Sequence, residues 1–143
     1  MLTEKDYCDY DTCVALKELG YKVPTSAYYI SNDTTLYFVS NPFRGGYAID
    51  CFYSHNSLRE GVVTSNYIDA PTMWEAQKWL REEKKIEVNA SFDKDSDGWI
   101  GFIQRIDYPD LIGTDFLIPT FNSYEEALLE GVRASIKLLK EEK

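Results

Sequence analysis

Between Ala70 and Asp107 the apolar period changes abruptly, and that change most limits the folds open to this chain. "APTMWEAQKWLREEKK" (70–85) has helical spacing, with Met73, Ala76, Gln77 and Leu80 recurring and Trp74 and Trp79 beside them. Thr72 and Glu75 have the spacing of a capping box, in which each side chain serves an amide that a helix start leaves bare. The period then drops to two. "IEVNASF" (86–92) places Ile86, Val88, Ala90 and Phe92 on one face, and "WIGFIQRID" (99–107) is apolar on both, as suits a central strand.

The flanks extend this pattern. "YDTCVALKELGY" reads as a short helix, with Asp9 or Asp11 to cap it and Gly20 to take the left-handed position that ends it. "SAYYIS" and "TTLYFVS" are β-branched and aromatic runs around a turn at Asn32-Asp33. "GYAIDCFYS" (46–54) and "GVVTSNYI" (61–68) resemble two further strands. "DFLIP" adds an edge strand, because Pro119 cannot donate to a ladder. A final helix opens with a second capping box, Ser123 to Glu126. Tyr124, Ala127, Leu128, Gly131, Ser135 and Leu138 lie along one of its stripes. Together these predict an α+β fold: a single-domain, two-layer sandwich over 1–143, with three helices on an antiparallel or mixed sheet of about five to seven strands.

Composition narrows the function classes. At 143 residues the chain can bury a core without metals or disulfides. A net charge of -9 opposes the counterion release that drives most nucleic-acid binding, so direct binding to DNA or RNA is not expected. The apolar runs are too short to span a bilayer. "MLTEKDYCDYD" lacks a secretory start, and three cysteines suit a reducing compartment, so the expectation is a cytoplasmic protein.

One motif carries recognisable chemistry. In "DKDSDGWIGFIQ", Asp93, Asp95 and Asp97 occupy the first three ligand positions of a calcium loop. Gly98 fills the turn position, Trp99 offers a carbonyl and Gln104 stands twelfth. Glutamine cannot supply the bidentate carboxylate that normally closes the shell, and the flanks alternate like strands. The same residues therefore fit a wet hairpin tip in which Asp97-Gly98 turns the chain. Cys8, Cys13, Cys51 and His55 have the residue types of a zinc site but no strong spacing, which favours core packing for the cysteines. His55 is the single histidine, and its loop setting beside Cys51 gives no reason to expect an activated nucleophile.

Tyr28, Tyr29, Tyr37, Phe38, Tyr47, Phe52 and Tyr53 interleave on the early strands, so alternation turns aromatics to two faces. Covering helices account for such a pattern, and so does a binding surface, since tyrosine is favoured at protein contacts.

"MWEAQKWLREEKKIEVNA", "WIGFIQRID" and "FNSYEEALLEGVRASIKLLKE", with "VALKELGY" near the start, resemble a family of small uncharacterised proteins of gut Bacteroidetes and their phages. The likeness spans about residues 10–24 and 70–140. It implies no activity and assigns no residue a role. The functional expectation is a non-enzymatic accessory protein, of phage or mobile-element type, that binds an unidentified protein partner and inhibits a host factor in one version. The alternative is a small calcium-binding module built on Asp93, Asp95 and Asp97.

Overall fold

The computed structural model describes residues 3–38, 67–106 and 115–141, and of 115–119 the backbone alone. Among the described residues it is α+β, with three α-helices and six strands paired antiparallel in two sheets of three. The described strands thus do not form the single larger sheet that was expected. The expected strand at 46–54 lies outside the described residues, as does most of that at 61–68. The chain divides into two compact units, Met1–Thr72 and Met73–Lys143.

In the first unit, helix α1 (Tyr10–Glu18) starts at the cap residue Asp9, whose carboxylate accepts the Thr12 hydroxyl. Cys8 and Cys13 stand just before the cap and one turn inside. These are the positions where an apolar pair staples the incoming chain to the helix. Both are fully buried, and the Cys13 thiol lies 3.5 Å from the Cys8 carbonyl. At the other end Gly20 adopts φ +100. Its amide and that of Tyr21 return to the carbonyls of Lys17 and Leu16 at 3.0 and 2.9 Å, satisfying groups that the helix end leaves bare.

Strand β1 (Ala27–Ile30) is central, between β2 (Asp33–Phe38) and β3 (Tyr67–Asp69). Ser31 and Asn32 connect β1 to β2, with Asn32 at φ 68. Asp33, expected in the turn, already pairs with Ile30.

The second unit is a meander of β4 (Ile86–Asp93), β5 (Gly98–Arg105) and β6 (Asp115–Phe121), with helices α2 (Met73–Glu83) and α3 (Tyr124–Glu141) packed on it. β5 is central, as its two apolar faces predicted. β4 and β5 pair without a break from Ile86↔Arg105 to Asp93↔Gly98. β6 shifts register between the partners of Trp99 and Gly101, along the stretch that contains Pro119. Among the described residues it is an edge strand, in keeping with its proline.

The buried face of α3 is Ala127, Leu128, Gly131, Val132, Ser135 and Ile136. Tyr124 and Leu138, expected on the stripe, are half-buried at its ends. A Cβ on Gly131 would lie 2.6 Å from Val88 Cγ1, so the absence of a side chain there lets α3 approach β4 closely. The capping box forms in part. The Ser123 hydroxyl accepts the Glu126 amide at 3.1 Å, while the Glu126 carboxylate accepts the amide of Asn122, one residue earlier than expected. No helix among the described residues is long and apolar enough to cross a membrane.

Candidate functional site

The "DKDSDG" segment connects two paired strands. Asp93 and Gly98 are the last pair of the β4–β5 ladder, and residues 94–97 turn between them. Asp97 supplies the left-handed conformation at φ 52, which aspartate tolerates better than most side chains. The Asp93 carboxylate organises the loop, accepting the Ser96 hydroxyl at 2.6 Å and the Asp95 amide at 3.3 Å. The Ser96 hydroxyl, with help from the Asp95 and Ser96 amides, holds the Asp93 carboxyl below the usual aspartate range.

The turn places Asp93, Asp95 and Asp97 within one hairpin tip and leaves Gln104 far along β5. Trp99 lies within β5 opposite Phe121, its ring edge-on to Phe92 at 5.4 Å and to Tyr124 at 5.6 Å. Gln104 pairs with Glu87. Six residues along a strand from Gly98, it lies on the order of 20 Å from the tip. Among the described residues no group of three or more His, Cys, Asp or Glu side chains is arranged to hold a metal ion.

The second feature is aromatic and belongs to the first sheet. Tyr28 on β1 stacks on Tyr37 of β2 at 5.7 Å between ring centroids, tilted by 20°. It also meets Tyr67 of β3 at 5.3 Å, so a row of three rings crosses the sheet. All three are half-buried. The Tyr37 hydroxyl donates to Asp33 at 2.8 Å. The Thr35 amide and then this hydroxyl lower the Asp33 pKa, and the same bond raises that of Tyr37.

Alternation sends Tyr29 to the opposite, buried side, where its hydroxyl donates to the Cys8 carbonyl at 3.1 Å and its ring meets Tyr10 edge-on. The two aromatic faces expected from the sequence are therefore real at β1. Tyr47, Phe52 and Tyr53 lie outside the described residues.

Of the zinc candidates, Cys8 and Cys13 are core residues at the start of α1, while Cys51 and His55 lie outside the described residues. Burial, then the neighbouring Cys8, Asp9 and Asp69, pushes the Cys13 thiol up, which disfavours the nucleophilic thiolate.

The sequence pattern did not single out Gln77 for anything but helical spacing. Its amide donates to the Val88 carbonyl of β4 at 2.7 Å. The one available signal was a polar residue on an otherwise apolar stripe. No protein-family model matches the chain, and neither a curated protein nor a solved structure does so.

Proposed function

We propose that this chain is a non-enzymatic accessory protein, of the phage or mobile-element kind its resemblance suggests, that acts by binding another protein. The observation that carries this reading is the row of Tyr37, Tyr28 and Tyr67 beside Asp33. Such rings offer flat apolar area at low entropic cost, and each hydroxyl adds a polar contact. With a net charge of -9, the natural counterpart is a basic surface, and inhibition of a host factor by carboxylates set into its basic site is one form of this activity. The test is retention of a partner on immobilised protein. Binding should weaken with salt and fall in Tyr28→Ala and Tyr37→Ala; a partner held equally by those variants would sink the reading.

A second reading rests on the place of Asp93, Asp95 and Asp97 in one hairpin tip, although their carboxylates are not gathered as a ligand set: a weak calcium site that calcium itself would assemble, completed by solvent. At one hundred times its dissociation constant, calcium would add about 2.7 kcal/mol of stability. Thermal unfolding with calcium against chelator, beside an Asp95→Ala, Asp97→Ala variant, decides it. No shift at millimolar calcium eliminates the site.

A further inference from the structure

The Ile106 amide donates to the Lys85 carbonyl at 2.8 Å. That marks 85/106 as a hydrogen-bonded pair of the antiparallel ladder. Such pairs alternate, so 87/104, 89/102, 91/100 and 93/98 are the others. Ile86, Val88, Ala90 and Phe92 consequently turn their amides and carbonyls away from β5, towards the edge where no described strand pairs. Gln77 takes the Val88 carbonyl on that edge. Ile86 and Val88 are fully buried, which closes this half of the strand.

The other half is different. Ser91 is exposed and Phe92 is 47% exposed. Sheet edges are normally guarded by proline, a bulge or lysine. The β6 edge has a register shift and Pro119, whereas β4 runs eight residues without a shift, a proline or a lysine.

We infer that the Ala90–Asp93 edge of β4 receives an extended segment of a partner protein, which adds antiparallel as a fourth strand and alternates apolar with basic residues. Alternation along β4 sets both requirements. Phe92 lies on the face that α2 and α3 cover, and Trp74, on the Gln77 stripe of α2, is 37% exposed. Apolar side chains of the added strand fall on this side. Glu87 and Asp93 lie on the opposite face, with Asp95 and Asp97 exposed just beyond, so the intervening side chains are basic. A second copy fits poorly. Paired about Ala90 it would set Glu87 against Asp93, between chains each of charge -9.

This edge is distinct from the tyrosine face, and the two can fail separately. The probe is an acetylated, amidated hexapeptide of alternating valine and lysine, titrated against the whole chain. Saturable binding is expected, with slowed amide exchange at Ala90 and Phe92. Methylating the peptide's alternate backbone nitrogens should weaken binding at least tenfold with its charge unchanged. Ala90→Pro should do the same, because the amide it removes bonds nothing in β5. If that variant fails to fold, the methylated peptide decides alone. Tyr28→Ala and Tyr37→Ala should leave hexapeptide binding unaltered. Equal affinity for the methylated peptide, protection centred elsewhere, dependence on the tyrosines, or no binding at millimolar peptide would each overturn the inference.

Discussion

In the first unit the buried side of β1 is closed by Tyr29, whose hydroxyl satisfies a carbonyl, against two cysteines that staple a helix start. In the second, Val88 and Ile103 are a cross-strand pair, and Leu128 and Val132 are buried on the helix that packs over those strands. At β1 the core includes a hydrogen-bonding aromatic side chain with a fixed direction, whereas the Val88–Ile103 and Leu128–Val132 contact is apolar and rests on shape. A core of the first kind loses little when one atom is removed, provided the freed partner has a second bond. A core of the second kind is sensitive to every methylene.

The largest effect should therefore come from the second unit. Leu128→Ala removes a fully buried side chain and should cost about 2–5 kcal/mol, read from the urea midpoint at constant slope. Amide exchange should accelerate first at Val88 and Ile103. Equal acceleration at Tyr29 and Ile68 would break the division into two units.

Gly131→Ala comes next. Its Cβ would intrude on Val88, and overpacking of this kind costs about 1–3 kcal/mol. Val88→Ala in the same chain should recover part of the loss, and a double-mutant cycle with no coupling would show that α3 does not press on β4 there. In the first unit Tyr29→Phe should cost only about 1 kcal/mol, since the Cys8 carbonyl keeps the Cys13 thiol. A loss as large as that of Leu128→Ala would erase the contrast.

The helix ends sharpen the comparison with opposite signs. Gly20 after α1 and Lys85 after α2 both sit at positive φ, +100 and +57. Open space surrounds Gly20, so Gly20→Ala is penalised by backbone conformation alone, about 1 kcal/mol. Lys85→Gly relieves the same strain and should stabilise by a few tenths to about 1 kcal/mol. Thermal unfolding of both variants checks this pair, and shifts in the same direction would refute it.

Legibility in the sequence followed the strength of the local signal. The three helices, the left-handed Gly20, the central position of β5 and the marginal one of β6 were readable, because each rests on a side-chain or backbone property that acts within a few residues. The division of the described strands into two sheets was not, since pairing is a long-range choice that strand composition does not encode. Val132 and Ile136 took more of the α3 face than Tyr124 and Leu138 because the close approach at Gly131 sets which stripe meets the sheet. At the candidate site, "DKDSDG" had the residues of a calcium loop, yet the strand periods on either side were the better guide to its backbone. Gln77 stayed hidden, because its partner is a carbonyl, and a carbonyl has no sequence signature.

The smallest effects lie at the two turns, which offer a matched pair of carboxylates. Asp33 is held low chiefly by the Thr35 amide and then the Tyr37 hydroxyl, and Asp93 chiefly by the Ser96 hydroxyl. A depressed folded-state pKa means that the charged form gains on folding. Each contribution is therefore present above the ordinary aspartate pKa and is lost as pH falls through the lower, folded one. Both residues are only half-buried, at turns that solvent reaches, so the effect on stability is slight and the sensitive readout is each carboxyl's own titration by NMR. Ser96→Ala should raise the Asp93 pKa towards the ordinary value and leave Asp33 unchanged, while Tyr37→Phe should raise Asp33 alone. The Asp33 rise should be the smaller, because the Thr35 amide remains its principal partner. If Ser96→Ala left Asp93 where it was, the backbone amides would be holding that carboxylate, and the two turns would work in the same way.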